Sequence, residues 1–126
     1  MKHSERFLAL VKDAKTRVKE INLDQFLDKK KAKDAFVLVD VREESEWTAG
    51  HASGAIYMGR GIIERDIEHN YPETDTPLIC YCGGGFRSAL VADNLQKMGY
   101  TNVISLDGGF RAWLEADLPI VKGELT

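Results

Sequence analysis

Residues 36–41 read Phe-Val-Leu-Val-Asp-Val, an apolar and β-branched run that a single aspartate interrupts. A strand with one wet face alternates apolar and polar residues, whereas a continuous run is typical of a strand buried on both faces, as in parallel sheets. Three shorter runs of the same kind lie at 55–58, 78–81 and 103–106. The sequence therefore predicts an α/β fold, in which helices cover both faces of a mostly parallel sheet.

The segment that precedes these strands predicts an amphipathic helix. Apolar side chains recur at three- and four-residue steps from Phe7 to Val18, and Ser4 is suited to cap the N-terminus of the helix. This apolar stripe has two interpretations: it packs on the body of the domain, or it docks a partner or a second copy. The sequence does not separate them.

Helices are also predicted farther along the chain. Asn22 and Gln25 have the spacing of a capping box, so a helix is expected to begin at Asn22. Another is predicted over residues 88–98, with Gly99 as its stop, and a short last helix contains Trp113. The helix at 88–98 lies between two predicted strands, which makes this region a βαβ unit.

Length and composition exclude several classes of protein. The chain has 126 residues, of which 44% are apolar, so it can bury the core of one compact domain. A formal net charge of −3 gives no general attraction to nucleic acid or to an anionic membrane. Apolar runs of at most five residues are too short to span a bilayer. The first twenty residues lack the apolar core of a secretory signal, so we expect a cytoplasmic protein.

The two cysteines, Cys80 and Cys82, are separated by one residue. On an extended strand their Cα atoms lie about 6.6 Å apart, which is near the upper limit for a disulfide. Free thiols in a reducing compartment are therefore expected. The three histidines are scattered and do not complete a zinc site with this pair, so no metal is expected.

The segment between the strand at 78–81 and the following helix is the most informative for function. It reads Cys82-Gly83-Gly84-Gly85-Phe86-Arg87-Ser88. Open α/β sheets bind their ligands at such a position, between a strand and the start of a helix. Three successive glycines allow the backbone to curl until several N–H groups converge on one point, which makes a cradle for an anion.

A cysteine at the first position of this cradle is suited to nucleophilic catalysis. The positive end of the helix and the nearby Arg87 favour the thiolate form of Cys82. The same N–H groups can hold a negative charge formed on an adduct of that sulfur. Cys80 lies inside the strand and is expected to be a core residue; the alternative is a resolving thiol that attacks an adduct on Cys82.

Four segments resemble the rhodanese family of single-domain sulfurtransferases, in the order in which that family carries them. They are Asp40-Val41-Arg42 followed by Glu46-Trp47, then residues 50–55, then the loop 82–88, and finally Asp107-Gly108-Gly109 with Trp113. The resemblance implies a sheet of about five mostly parallel strands with helices on both faces. It covers residues 18–121 as a single rhodanese-like domain, which leaves the predicted amphipathic helix over 1–17 as an extension and 122–126 as a tail.

The resemblance further implies a mechanism. Cys82 would take the outer sulfur of a donor, thiosulfate or a persulfide, and become a persulfide itself. Cyanide, a thiol or a protein cysteine would then accept that sulfur, without any metal or organic cofactor. The residues expected to bind the donor are Gly83, Gly84, Gly85, Phe86, Arg87 and Ser88. Since Gly83 and Gly84 offer no side chain where many relatives carry a basic or polar one, a persulfide is expected to be the better donor.

Several residues near the loop are expected to support it. Asp40 and Arg42 would form a buried or half-buried pair that fixes the loop geometry. His51 would either make a structural hydrogen bond or line the site. Ser88 is expected to begin the helix as its cap, and the glycines at 108–109 to allow a neighbouring turn to pack beneath the cradle.

Two other functions remain open from the sequence. A cysteine phosphatase or arsenate reductase also uses a thiolate in an N–H cradle, but those enzymes have five residues between cysteine and arginine, and only four separate Cys82 from Arg87. Their general acid would have to be Asp107, for which a turn or cap role is the better fit. A non-enzymatic binding module of this family usually lacks the cysteine, although the N-terminal helix would suit a docking role.

Overall fold

The computed structural model describes residues 2–123 as a central sheet covered by helices on both faces. Its elements are α1 (Glu5–Lys15), β1 (Lys19–Ile21), α2 (Leu23–Lys31), β2 (Val37–Asp40), α3 (Glu44–Ala49), β3 (His51–Ala52), β4 (Ile56–Tyr57), α4 (Ile63–Asn70), β5 (Leu78–Tyr81), α5 (Phe86–Lys97), β6 (Val103–Leu106), α6 (Gly109–Glu115) and β7 (Ile120–Val121). Residue 1 and residues 124–126, which belong to the predicted extension and tail, lie outside the described part.

The main sheet has five strands in the order β1-β6-β5-β2-β4, and all of its pairings are parallel. A second, two-stranded sheet pairs β3 with β7 in antiparallel fashion. The α/β fold with a parallel sheet is therefore confirmed. Strands β2, β5 and β6 follow the predicted apolar runs closely, whereas β1, β3 and β7 span only two or three residues each and were not predicted.

Successive residues of the central strands point into two separate cores, which is why their hydrophobic runs are continuous. In β2, Val39 faces one core and Leu38 the other; in β5, Cys80 and Ile79 divide in the same way. The first core is closed by α4 and α5, with Ile63, Ile67, Val91 and Leu95. The second is closed by α2 and α6, with Phe26 and Trp113.

The ends of the helices agree with the sequence in one case and differ in another. The capping box of α2 is present: the Gln25 N–H donates to Asn22 Oδ1 at 2.9 Å, and the Asn22 N–H donates to Gln25 Oε1 at 2.8 Å. Helix α5 begins at Phe86, however, because Gly85 with φ 105° serves as its N-cap. The prediction that Ser88 caps the helix is wrong; Ser88 lies inside the first turn.

Helix α1 packs against α5, so the predicted amphipathic helix does cover the body of the domain. Val11 and Ala14 are buried with Leu90 of α5 in a third apolar cluster. Arg17, just beyond α1, holds the carboxylate of Asp93 with two hydrogen bonds of 2.8 and 2.9 Å. The apolar stripe of α1 is therefore covered by α5 at Val11 and Ala14, whereas Leu10 remains 53% exposed.

A buried polar network joins the ends of β2 and β5 to the turn at β3. The fully buried Asp40 carboxylate accepts hydrogen bonds from the Arg42 backbone and guanidinium at 2.8–3.1 Å and from the Tyr81 hydroxyl at 2.7 Å. Arg42 also donates to the Gly50 carbonyl at 2.7 Å, and the Ala52 N–H donates to the Tyr81 hydroxyl at 3.0 Å. The expected Asp40–Arg42 pair is thus present, and it fixes three chain segments rather than one.

The same network reaches α6 through an aromatic ring. The Arg42 guanidinium carbon lies 4.2 Å from the centre of the Phe110 ring, a cation–π contact. Burial, together with the neighbouring Asp40 charge, raises the pKa of Tyr81, which keeps its hydroxyl protonated as the donor to Asp40. Buried polar groups that each make several contacts therefore hold the backbone at the carboxyl edge of the sheet.

Replacing Asp40 by asparagine is expected to lower the free energy of unfolding by about 3–5 kcal/mol. The substitution leaves the Arg42 guanidinium buried without a counter-charge and aims an amide N–H₂ at donors. Chemical denaturation of Asp40→Asn against the parent protein measures the effect.

The matched control is Asp66→Asn, which removes a carboxylate from the ion pair that Asp66 makes with Arg65 on the outer side of α4. This exposed pair is expected to matter little, so the control should unfold with the parent protein. Equal stabilities of the two variants would show that the buried network does not organise the fold.

Candidate active site

The loop 82–88 leaves the carboxyl end of β5 and curls around the sulfur of its own first residue. Cys82 Sγ accepts hydrogen bonds from the N–H groups of Gly85 at 3.1 Å and Ser88 at 3.4 Å, and the Ser88 hydroxyl oxygen lies 3.6 Å away. The first-turn N–H groups of a helix have no partner within the helix. In this chain the N–H of Ser88 in the first turn and that of the N-cap Gly85 are directed at a cysteine sulfur, as the sequence predicted for the cradle.

The carbonyl groups of the loop are turned to the opposite side by α6. The N–H groups of Phe110 and Arg111 donate to the carbonyl oxygens of Cys82 and Gly83 at 2.8 and 3.0 Å. The N–H group of Gly84, which follows the occupied Gly83 carbonyl, is one of the groups that lower the pKa of Cys82. One helix start therefore supplies the donors of the cradle, and a second helix start orients its backbone.

Gly109 allows this close approach of α6 to the loop. Its φ is 50°, and a Cβ placed on it would lie 2.4 Å from the Cys82 carbonyl oxygen and 2.9 Å from the backbone of Gly83. No side chain fits in that space. The expectation that the glycines at 108–109 permit packing beneath the cradle is borne out by this contact.

Cys82 is 1% exposed, and its surroundings favour the thiolate. Burial alone raises the pKa of the Cys82 thiol, but hydrogen bonds from the Ser88 hydroxyl and N–H and from the N–H groups of Gly85 and Gly84 outweigh that effect. The pKa of Cys82 therefore lies below the usual range for a thiol. Backbone and hydroxyl donors contribute more than Arg87, which the sequence analysis had emphasised.

Cys80 has the opposite environment although it is only two residues away. It is fully buried in the first core, and burial, with a small effect from Cys82, raises its pKa to about 12. A thiol of that kind stays protonated at neutral pH and is a weak nucleophile. Its surroundings fit a core residue and do not fit the alternative role of resolving thiol.

Arg87 does not stand free beside the sulfur. Its guanidinium donates two hydrogen bonds to the Glu46 carboxylate, at 2.8 and 3.1 Å. Hydrogen bonds from Arg87 hold the pKa of Glu46 below its usual value, so the carboxylate is ionised and offsets the arginine charge. Glu46 was not predicted as a site residue. Its position three residues after Glu43 indicates only a capping box, and the pairing across 41 residues follows from the tertiary structure.

His51 lies away from the sulfur, among the residues of the β3 turn. Its Nδ1 is 2.9 Å from the Trp47 carbonyl oxygen, and its ring stacks on the Trp47 indole at 3.4 Å between centroids. Of the two roles left open for His51, the structural hydrogen bond is the one that this geometry fits.

A groove of about 1120 Å³ opens in front of the loop. Its lining residues are Lys2, His3, Ser4, Phe7, Arg42, Glu46, Cys82, Gly83, Gly84, Phe86, Arg87, Phe110, Arg111 and Leu114. The sequence does not indicate that the first four of these residues line a site, because their position depends on how α1 packs on α5.

Among residues 2–123, no cluster of three or more histidine, cysteine, aspartate or glutamate side chains is arranged to hold a metal ion.

Comparison with known proteins gives a consistent result for sequence and structure. Residues 22–116 match the family model of the rhodanese-like domain. The thiosulfate sulfurtransferase GlpE of Shewanella oneidensis is 32% identical over 99 residues, which cover 79% of this chain and 95% of that protein.

Two solved structures resemble the chain over nearly its whole length. The polysulfide-sulfur transferase homodimer of Wolinella succinogenes is 26% identical with a TM-score of 0.77, covering 93% of this chain and 88% of that one. A Rhodopseudomonas palustris protein of unknown function, named as a possible tyrosine phosphatase, is 28% identical with a TM-score of 0.82. The match covers 96% of this chain and 98% of that one.

Within residues 2–123, no helix has the length and apolar character that crossing a membrane requires.

Gly109→Ala is expected to destabilise the protein by about 2–4 kcal/mol and to reduce cysteine reactivity at least tenfold. The new Cβ meets the Cys82 carbonyl at a positive φ, so either α6 or the loop must move. Thermal unfolding and the rate of Cys82 alkylation measure the two effects. Gly61→Ala is the control, since nothing lies within 4 Å of a Cβ at Gly61. If both variants behave like the parent protein, the close contact does not shape the cradle.

Alkylation of Cys82 by iodoacetamide is expected to rise with pH through a midpoint below that of a free cysteine, because the thiolate reacts and its pKa is lowered. Ser88→Ala removes one donor to Sγ, so the midpoint should move to higher pH. Ser53→Ala, which alters a hydroxyl outside the loop, should leave it in place. Cys82→Ser should not react in the folded state, and a wild-type midpoint at or above that of free cysteine would contradict the cradle.

Proposed function

The chain belongs to the rhodanese-like domain family, and we propose that this sulfurtransferase carries a sulfane sulfur as a persulfide on Cys82. The observation that supports the proposal most strongly is the contact of Sγ with the N–H groups of Gly85 and Ser88. These donors favour the thiolate before the reaction, and they can hold the charge of a persulfide after it.

The reaction divides into two displacements at sulfur. In the first, the Cys82 thiolate attacks the outer sulfur of the donor; a new S–S bond forms, the donor's own bond to that sulfur breaks, and the leaving group departs with the electron pair. With thiosulfate the leaving group is sulfite. In the second, a nucleophile such as cyanide or a thiol attacks the outer sulfur of the persulfide, and Cys82 leaves as the thiolate. No net oxidant or reductant is consumed.

The rest of the loop would bind and position the donor. Gly83 and Gly84 line the groove with backbone only, Phe86 adds an apolar surface, and Arg87 contributes a cation that Glu46 partly offsets. A doubly charged donor such as thiosulfate gains little from this arrangement. We therefore favour a persulfide, whose reacting group carries a single negative charge, as the donor. An inorganic polysulfide is a dianion like thiosulfate, and its support as a donor comes from the name of the Wolinella succinogenes relative, a polysulfide-sulfur transferase.

The phosphatase alternative finds less support in this site. Four residues separate Cys82 from Arg87, one fewer than in the cysteine phosphatase loop, and Arg87 is engaged by Glu46. Asp107, the candidate general acid, is an exposed residue whose N–H bonds the Ile21 carbonyl at the end of β1. The description of the Rhodopseudomonas palustris protein makes phosphatase activity a useful arm of the test.

A non-catalytic binding role would not require a thiol whose pKa is lowered. The cradle around Cys82 therefore favours the enzyme over the binding module.

Both cysteines are free thiols, which fits a cytoplasmic protein in a reducing environment. The expected division into an extension over 1–17, a domain over 18–121 and a tail over 122–126 stays a prediction.

Incubation of the purified protein with thiosulfate or an inorganic polysulfide, without reductant, is expected to add one sulfur atom to its intact mass. Cyanide or dithiothreitol should remove that atom, because each attacks the outer sulfur of a persulfide. The measurement is intact-mass spectrometry before and after each step, with polysulfide expected to load the protein at lower concentration than thiosulfate.

Cys82→Ser should gain no sulfur, and Cys80→Ala should gain it as the wild type does, since alanine keeps the core position apolar. A wild type that gains no sulfur from either donor contradicts the proposal. Hydrolysis of an aryl phosphate by that protein would then establish the phosphatase, and the absence of any reaction would leave the binding module.

A further inference from the structure

The N-terminal segment, defined here as residues 2–7, forms one wall of the active-site groove. It supplies Lys2, His3, Ser4 and Phe7 to the lining. This segment precedes the residues 22–116 that match the family model, so the shared core does not account for it. Part of the substrate site is therefore specific to the extension that α1 carries.

Aromatic contacts fix the segment directly on the catalytic loop. The His3 ring lies 5.0 Å from the Phe86 ring and 5.2 Å from the Phe7 ring, and the Phe7 and Phe86 centroids are 6.3 Å apart. Lys15 Nζ covers the Phe86 ring at 5.1 Å. Because Phe86 is the first residue of α5, the extension packs directly on the helix start that supplies the Ser88 donor of the cradle.

The groove is larger than the small inorganic substrates of a sulfur transfer require. Its volume of about 1120 Å³ is at the scale of sites that enclose an organic ligand of drug size. Cyanide and thiosulfate have only a handful of atoms each and would fill the part next to Cys82. The outer part, between the N-terminal segment and α6, remains for another component of the substrate.

The outer part of the groove combines apolar and cationic groups. Phe7, Phe110 and the half-exposed Leu114 provide apolar surface. Lys2 and Arg111 provide positive charge, and within residues 2–123 neither makes an ion pair. The other two arginines of the groove are neutralised by Asp40 and Glu46. The positive charges that no carboxylate offsets, those of Lys2 and Arg111, therefore lie in the outer part of the groove.

We propose that the outer part of the groove binds the organic portion of a small, carboxylate-bearing thiol, which accepts the sulfur from Cys82. This inference rests on the persulfide mechanism. The acceptor thiolate attacks the outer sulfur of the Cys82 persulfide; the new S–S bond forms, the bond to Sγ breaks, and the electron pair returns to Sγ. Lys2 and Arg111 hold the carboxylates, while the aromatic and aliphatic side chains contact the carbon skeleton.

The burial of the sulfur favours a small acceptor over a protein. Cys82 is only 1% exposed, so an acceptor sulfur must enter the groove to reach it. A slender thiol enters a walled groove readily, whereas a cysteine on a folded surface would have to displace the N-terminal segment. The extension thus acts as a specificity element for the second displacement.

Two acceptors of similar size, mercaptosuccinate and thioglycerol, test the charge requirement. Thiosulfate serves as donor, and sulfite release gives kcat/KM for each thiol. Wild type is expected to prefer mercaptosuccinate, and Lys2→Gln combined with Arg111→Gln is expected to lower the ratio of the two kcat/KM values about fivefold. Comparing one ratio between proteins cancels the difference in intrinsic reactivity of the thiols.

The matched control is Lys19→Gln combined with Lys30→Gln, which removes two exposed charges outside the groove and should leave the ratio unchanged. An unchanged ratio in the Lys2 and Arg111 variant overturns the inference, and persulfide formation by the same protein keeps the proposed function. Wild-type turnover with cyanide but with neither thiol also overturns it and leaves a protein cysteine as acceptor. Absence of the persulfide in the wild type defeats both proposals.

Discussion

The buried carboxylate of Asp40 is the constraint on which the carboxyl edge of the sheet depends. A buried carboxylate needs hydrogen-bond partners, and those of Asp40 are Arg42, just after the end of β2, and Tyr81 of β5. Arg42 then carries the constraint to Gly50 and to the Phe110 ring of α6. The strand that leads into the Cys82 loop and the helix that supports that loop are thereby fixed relative to each other.

The candidate site around Cys82 is built mostly from backbone groups, and this determines how much of it could be predicted from the sequence. Glycines between a buried strand and a helix indicated a cradle around Cys82, because missing side chains leave a pattern in the sequence. The orientation of the carbonyls by α6 leaves no such pattern beyond Gly109. Glu46 and the N-terminal segment escaped prediction for a related reason: their contacts with Arg87 and Phe86 join residues far apart in the chain.

Secondary structure was predictable where burial imposes a clear pattern. The runs that became β2, β5 and β6 are buried on both faces, whereas β1, β3 and β7 are too short to show periodicity. Helices α3 and α4 were not predicted, since six- and eight-residue elements carry few apolar positions. The start of α5 was misplaced because Ser88 is a favoured cap residue, while the chain uses the left-handed conformation of Gly85 instead.

On the proposed mechanism, the contrast between the two thiols decides what happens to a sulfur bound to Cys82 before an acceptor reaches it. A neighbouring reactive cysteine would attack the loaded residue, form a disulfide and release the cargo as sulfide. Cys80 is protonated and enclosed in the core, so it does not attack a persulfide on Cys82 in this way. In the proposed reaction the Cys82 persulfide therefore persists until an acceptor enters, and the encounter with that acceptor sets the time of sulfur transfer.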